Sequence, residues 1–186
     1  MKFELYSPET APAGAAENLS GVEKKMGGLL PNLYRQLAES PAALEAYLTL
    51  SNLLAKTDFS PAEQQFILLV TSARNGCSYC VAAHSSGGRM AKLDKEAIES
   101  IRSGTAVADE KLQALRVYTE RVIETRGKVS EADLQAFSQA GYSQKQAVEM
   151  LVGVAMKTLS NYFSRMAETP LDDFLGRMAW DGNDRV

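Results

Sequence analysis

The chain has 186 residues with a formal net charge of −3 at pH 7; 45% of them are hydrophobic and 23% are charged. This length and composition are typical of one globular domain that buries a core without disulfides or metals. The small negative charge and the scattered basic residues argue against nucleic acid or an anionic membrane as a partner. No apolar run is as long as a membrane span, and the opening stretch MKFELYSPET lacks the apolar core of a signal peptide. We therefore expect a cytoplasmic protein with a single domain over residues 1–186, of which residues 1–15 form an arm over a neighbour or a loose segment.

Two helices are predicted to begin with the same dipeptide. Ser40 and Ser60 are each followed by proline, which is typical of an N-cap residue with proline at the first helical position. Glu63 completes a capping box with Ser60. The stretch FILLV, residues 66–70, makes the second helix apolar on most of its circumference, so we expect it to be buried in a core or an interface. The Asn-Gly pair at residues 75–76 can end it, because both residue types accept the left-handed conformation of many C-terminal caps.

The rest of the chain also follows helical patterns. CSYCVAAHSSGGRMAK begins directly after the Asn-Gly boundary, and four further helices follow it. They are LDKEAIESIRSG with Asp94 as a cap, DEKLQALRVYTERVIETRG, SEADLQAFSQAG with Ser130 as a cap, and the long SQKQAVEMLVGVAMKTLSNYFSRMAE with Ser143 as a cap. No convincing run alternates polar and apolar residues as a strand does. The sequence therefore predicts an all-α fold.

Both cysteines and the only histidine of the chain lie within the eight residues CSYCVAAH. On a helix, Cys77, Cys80 and His84 fall at positions i, i+3 and i+7 and share one face. The two sulfurs are then close enough for a disulfide, and the helix dipole favours a thiolate at Cys77 in the first turn. His84 lies one turn beyond Cys80, where a neutral imidazole can take the thiol proton directly or through a water. The pattern predicts a nucleophilic dithiol site.

Structural roles are the alternative interpretation of these three residues. A buried cysteine often packs as a small hydrophobic residue, and a lone histidine on a helix is usually structural. A zinc site is disfavoured because only three soft ligands are present, whereas structural zinc normally takes four. A haem attachment site would need histidine directly after the second cysteine, where Val81 stands. We expect neither a metal nor another cofactor.

The stretch QFILLVTSARNGCSYCVAAH resembles the core motif of the AhpD-like alkylhydroperoxidases, within the carboxymuconolactone decarboxylase superfamily. The later stretch AGYSQKQAVEMLVGVAMKTLSNYFSRMAETPLD is similar to helices of the peroxidase-related branch, so the resemblance extends from residue 31 to residue 172. It implies an all-α, AhpD-like helical domain that assembles into homo-oligomers, often trimers or hexamers, and carries a dithiol peroxidase site.

The resemblance assigns a role to each residue of the motif. Cys80 matches the thiol that attacks peroxide, Cys77 its resolving partner, and His84 the proton-relay histidine. The residues alone leave the order of the cysteines open, since the helix dipole and exposure favour Cys77 as the more acidic thiol and the adjacent base favours Cys80. We expect Cys80 to attack, because deprotonation and proton delivery both need the base; Cys77 is then free to face an external reductant.

Two positions depart from the family pattern. The acidic residue of the family corresponds to Gln65, which can orient His84 by hydrogen bonding but cannot accept a proton. Glu63 is close in sequence, yet it faces another side of the helix and has a capping role. Tyr79 stands where some members have histidine, and it either hydrogen-bonds a hydroxyl or peroxide or packs in the core. Both departures indicate a slower peroxidase or a changed substrate.

These observations favour a peroxidase that reduces hydrogen peroxide or organic hydroperoxides, with a lipoyl-like or thioredoxin-like dithiol as its reductant. The first alternative is thiol–disulfide exchange without peroxide chemistry, which Gln65 makes credible. A redox sensor that changes size or partner on oxidation is the second. Lactone decarboxylation, the reaction that names the superfamily, is less favoured because it needs no cysteine nucleophile.

Overall fold

The computed structural model describes residues 3–182, and within this range all regular structure is helical. The α-helices are Ala16–Lys25 (α1), Asn32–Leu37 (α2), Pro41–Leu54 (α3), Pro61–Arg74 (α4), Ser78–Met90 (α5), Lys95–Ser103 (α6), Glu110–Thr125 (α7), Glu131–Gln139 (α8) and Gln144–Ala167 (α9). A 3₁₀ helix follows at Asp173–Met178. The described residues contain no strand, which agrees with the predicted all-α fold.

Side-chain caps begin the helices that the sequence predicts. The side chain of each predicted N-cap residue accepts a hydrogen bond from the backbone N–H three residues later, and these residues are Ser40, Ser60, Asp94, Ser130 and Ser143. Full capping boxes form at Ser60, Ser130 and Ser143. Local polar chemistry therefore sets where these helices start.

Helices α1 and α2 were not assigned from the sequence. Their N-cap residues, Ala15 and Pro31, provide no side-chain cap. Packing holds them instead: Leu19 and Val22 of α1, and Leu33 and Leu37 of α2, are buried. Tertiary contact thus defines these helices where the local signal is absent.

Helix α4 lies at the centre of the molecule, between α5, α7 and α9. Its buried residues run without interruption from Phe66 to Ser72, as the apolar run predicts. Most of these residues belong to a cluster with α6, α7 and α8, while Leu68 joins a second cluster with α2, α3 and α9. Cys77, Tyr79 and Cys80 lie in this second cluster. The α4–α5 junction therefore places both cysteines inside the core.

Residues 3–15 lie against their own chain. Arg35 of α2 donates hydrogen bonds to the backbone oxygens of Leu5 and Tyr6, at 2.9 and 3.0 Å. The rings of Phe3 and Phe163 pack edge to face with centroids 5.3 Å apart. These contacts attach the segment to α2 and α9. Residues 1 and 2 lie outside the described range.

Candidate active site

The turn between α4 and α5 fixes the position of the first cysteine. Asn75 ends α4, Gly76 adopts a left-handed φ of 62°, and the Cys77 N–H donates to the Ser72 carbonyl at 3.0 Å. Cys77 is the N-cap residue of α5, and its sulfur accepts a hydrogen bond from the Cys80 N–H at 3.4 Å. The sequence placed Cys77 inside the first helical turn. In the structure its sulfur caps the helix instead, and Cys80 lies in that first turn.

The two thiols are free, and each is only 1% exposed. Burial acts to raise the pKa of Cys80, but the Cys77 thiol, the charge of Lys157 and the Asn161 side chain together lower it to about 6. Hydrogen bonding to Cys80, followed by burial, raises the pKa of Cys77 far above the ordinary thiol value. The directions of the two shifts favour a thiolate at Cys80 and a thiol at Cys77.

The structure bears on the order of the two cysteines. Exposure does not favour Cys77, because both thiols are buried to the same extent. The lowered pKa of Cys80 and the raised pKa of Cys77 favour Cys80 as the attacking thiol, although His84 is not the cause, and the assignment stays a prediction. Among residues 3–182, no hydrogen bond joins His84 to either sulfur.

His84 pairs with Gln65 across the α4–α5 contact. Its Nδ1 lies 3.0 Å from Gln65 Oε1, so Nε2 is the ring nitrogen without this partner. Burial, and then the charge of Lys157, lowers the pKa of His84 well below its usual range. The imidazole is therefore neutral at pH 7. Gly87 makes the pairing possible, since a Cβ there would lie 2.6 Å from Gln65 Oε1.

Tyr79 has its hydroxyl engaged within the protein. The hydroxyl donates to Asp172 Oδ2 at 2.7 Å and accepts from the Leu33 N–H at 3.3 Å. Asp172 Oδ1 in turn accepts from the Asn32 N–H at 3.0 Å. Burial, and then Asp172, raises the pKa of Tyr79. Because its one proton is already donated, Tyr79 ties α5 to α2 and to the chain before the 3₁₀ helix.

Lys157 is the site residue that the sequence analysis missed. It lies in the middle of α9, is fully buried, and its Nζ forms no hydrogen bond within the described chain. Its ammonium lies 5.9 Å from the ring centroid of Tyr47 on α3. A lysine in the apolar stripe that includes Met150, Gly153 and Met156 was the available signal.

Asn161, one turn beyond Lys157, supports the same region. Its Nδ2 donates to Ser72 Oγ at 3.3 Å, and its Oδ1 accepts from Asn75 Nδ2 at 3.0 Å. It therefore joins α9 to the end of α4, next to the turn that carries Cys77.

A pocket of about 440 Å³ opens onto Cys80. Its polar lining includes Gln65, His84 and Lys157, and most of the remaining wall is apolar or aromatic, with Leu33, Tyr34, Tyr47, Met90 and Phe174 among its residues. Cys77 is not part of the lining. A larger cavity of about 870 Å³ lies between Phe3 and Pro170, and neither cysteine lines it. The pocket that opens onto Cys80 is therefore the candidate active site.

Two absences hold for residues 3–182. No cluster of His, Cys, Asp and Glu side chains there could bind a metal ion. No helix there has the length and apolarity to cross a lipid bilayer.

Comparison with known proteins finds a family match over part of the chain. Residues 41–120, which include both cysteines and His84, match the model of the carboxymuconolactone decarboxylase family. No functionally curated protein matches the chain.

Solved structures share the fold of this chain. The chain is similar to the alkylhydroperoxidase AhpD core of an uncharacterized peroxidase-related protein from Ralstonia eutropha JMP134, at 22% identity and a TM-score of 0.82, over 94% of this chain and 93% of that one. An uncharacterized peroxidase-related protein from Silicibacter sp. TM1040 matches at 18% identity and a TM-score of 0.79, over 94% and 92%. The debrominase Bmp8 matches at 15% identity and a TM-score of 0.72, over 89% and 90%. The AhpD-like fold is therefore established.

Proposed function

We propose that the protein is a dithiol peroxidase that reduces hydrogen peroxide or organic hydroperoxides at Cys80. The observation that carries the proposal is the pairing of the two thiols at the start of α5, where Cys80 alone lines the pocket. The lowered pKa of Cys80 favours its thiolate, and the raised pKa of Cys77 favours its thiol. These are the forms that an attacking and a resolving cysteine need.

The reaction begins with attack of the Cys80 thiolate on a peroxide oxygen. An S–O bond forms as the O–O bond breaks, the sulfur is oxidised to sulfenic acid, and the leaving alkoxide or hydroxide takes a proton. The Cys77 thiol then attacks the oxidised sulfur, which forms the Cys77–Cys80 disulfide and releases water. An external dithiol, lipoyl-like or thioredoxin-like, reduces the disulfide by exchange and becomes a disulfide itself.

His84 and Gln65 complete the site as positioning groups. With Nδ1 paired to Gln65, the neutral ring can accept a hydrogen bond from the peroxide hydroxyl at Nε2. Such a bond would orient the peroxide near the sulfur and connect it to solvent protons. Gln65 cannot take a proton, so no proton passes from His84 to Gln65. Tyr79 takes no part, since its hydroxyl is held by Asp172.

Thiol counting with a matched variant tests the proposal. One equivalent of an organic hydroperoxide should remove both free thiols, and dihydrolipoamide should restore them. Cys80→Ser should reduce peroxide consumption to the level of buffer. Full turnover by Cys80→Ser would overturn the assignment. Because a neighbour of the same fold is a debrominase, 2,3,4-tribromopyrrole belongs in the same assay; bromide release without peroxide turnover would also contradict it.

Thiol–disulfide exchange without peroxide chemistry is the second candidate, favoured by Gln65 in place of an acidic residue behind His84. It predicts that oxidised lipoamide removes both thiols while hydroperoxide does not. A redox sensor would instead change its size or partner on oxidation with no turnover. Lactone decarboxylation would survive in a double variant of Cys77 and Cys80.

We further propose that the protein forms a homo-oligomer, a trimer or hexamer, in the cytoplasm. Four large apolar side chains on α9 are exposed in the single chain: Val148, Leu151, Tyr162 and Met166. An apolar face of this kind is typical of a surface that another copy covers. Sedimentation analysis measures the assembly directly, and a monomer at micromolar concentration would contradict it.

A further inference from the structure

Lys157 requires a negative partner that the described chain does not otherwise provide. The side chain is fully buried, and its Nζ has no hydrogen-bond partner within residues 3–182. A buried ammonium is unfavourable unless an opposite charge accompanies it. The aromatic face of Tyr47, at 5.9 Å, compensates only part of this. Lys157 lines the same pocket as Cys80, so a group on that wall can balance its charge.

That pocket has no carboxylate among its described lining residues. The nearby carboxylate of Asp172 is occupied by Tyr79 and by the Asn32 N–H. The tyrosines of the lining are poor anions, because burial raises the pKa of Tyr34, Tyr47 and Tyr79. Cys80 is the remaining acidic group on the wall, and the charge of Lys157 favours its ionised form.

His84 cannot take over this role. Its Nδ1 is paired with Gln65, and no hydrogen bond links the ring to Cys80 within residues 3–182. The same charge of Lys157 that favours a thiolate disfavours an imidazolium. Two cations line the pocket: Lys157 of α9 is buried, whereas Lys25 of α1 is exposed. The buried cation beside the nucleophile is therefore Lys157.

We propose that Lys157 is the group that holds Cys80 as a thiolate, so that the nucleophile is active without an acidic residue behind His84. The catalytic role of this thiolate rests on the proposed peroxidase function. The ionisation step needs no co-reactant, since Cys80 releases its proton to solvent and the thiolate remains beside the ammonium. Other titratable groups facing this pair from the surrounding elements are Lys25, Tyr34, Tyr47, Tyr79, Cys77 and His84.

The test is the pH dependence of Cys80 alkylation in the full-length reduced protein. Iodoacetamide is the probe, and mass spectrometry reports the modified cysteine. The wild type should show a midpoint near the pKa of about 6. Lys157→Met, which keeps the length and the apolar stem of the side chain, should move the midpoint up by about two pH units or more, into the ordinary thiol range.

Lys145→Met is the matched control, because Lys145 lies on the same helix but is exposed and paired with Asp58. It should leave the midpoint unchanged. Circular dichroism confirms that each variant is folded; if Lys157→Met does not fold, Lys157→Gln carries the same prediction. A folded charge-removing variant whose midpoint stays near that of the wild type would overturn the role of Lys157.

Alkylation needs no peroxide. The experiments can therefore reject the role of Lys157 and the peroxidase function independently of each other. A midpoint that moves in Lys157→Met while the wild type consumes no peroxide would support the Lys157–Cys80 pairing and reject the peroxidase. If the wild type consumes peroxide but the alkylation midpoint of Lys157→Met equals that of the wild type, the peroxidase function is supported and the role of Lys157 is rejected. A lower turnover of Lys157→Met that recovers at alkaline pH supports both.

Discussion

His84 Nδ1 and Gln65 Oε1 lie 3.0 Å apart, so the group paired with the ring is an amide, where a proton relay would need a carboxylate. The amide fixes the ring without supplying negative charge, and burial leaves the imidazole neutral. The site thus separates two tasks that a relay combines. His84 is held as an uncharged hydrogen-bonding group, and the charge that favours the thiolate comes from Lys157.

Gln65→Glu should return basicity to the histidine. A carboxylate at 3.0 Å favours the imidazolium, so the pKa of His84 should rise from its low value into or above the range of pH 6 to 7. Because His84 is the only histidine of the chain, proton NMR follows its titration without ambiguity. The wild-type resonance should not move between about pH 6 and 8. A wild-type midpoint near the ordinary value of about 6.5 would contradict the partly buried, neutral ring.

Gly87→Ala should disturb the same pair with little loss of stability. The new methyl group would lie 2.6 Å from Gln65 Oε1, so the amide must shift, and its contact with His84 must change. Since that atom ends a flexible side chain, we expect a cost below about 1 kcal/mol in urea unfolding. Peroxide turnover and the His84 resonance should both change.

Gly21→Ala is the control for that substitution. Gly21 lies in α1, and a Cβ there meets nothing within 4 Å. It should be neutral or stabilise by about 0.4–1 kcal/mol, with turnover unaffected. Equal effects of the two alanines on the His84 resonance would rule out a special role for Gly87.

Tyr79→Phe should reduce stability and spare the chemistry. The change leaves Asp172, which is 7% exposed, without the 2.7 Å bond from the hydroxyl. We expect a loss of about 1–3 kcal/mol in the free energy of unfolding, measured in urea. Tyr162→Phe, at a position 63% exposed, should stay within about 0.5 kcal/mol of the wild type. A large fall in peroxide turnover of folded Tyr79→Phe would show that the hydroxyl reaches substrate after all.

Lys157→Met should also make the disulfide less oxidising. A thiolate at Cys80 stabilises the reduced pair, and this stabilisation is present above the folded pKa of about 6 and lost below it. Removal of the charge should therefore shift the equilibrium with a lipoamide buffer toward the protein disulfide by about tenfold at pH 7. The variant and the wild type should converge below the pKa of about 6. A shift that is independent of pH would point to a change in packing and not in charge.

Much of the architecture was predictable because local chemistry determines it. The capping serines and Asp94 mark helix starts without reference to the rest of the fold. Helices α1 and α2 were not predicted, because their first turns have no side-chain cap and depend on packing. The proximity of Cys77 and Cys80 followed from their spacing, and so did the position of Cys80 and His84 on one pocket.

The ionisation of the site could not be predicted from that spacing. It depends on Lys157 and Asn161, which lie far along the chain and reach the cysteines only because α9 packs against α4 and α5. The sequence shows a lysine on an apolar helix face but not which helix that face will meet. A helix cap depends on residues close in sequence, whereas the partner of a buried charge depends on how the helices pack.

The most direct test of the central claim is sulfenic acid trapping on a Cys77→Ser variant. The resolving thiol is then absent, so one equivalent of organic hydroperoxide in the presence of a dimedone-type trap should place the adduct on Cys80, identified by mass spectrometry. Cys80 should be modified nearly completely, and Cys80→Ser should show no adduct. If folded Cys77→Ser keeps an unmodified Cys80 after peroxide is added, Cys80 is not a peroxide-reducing thiol and the account is wrong.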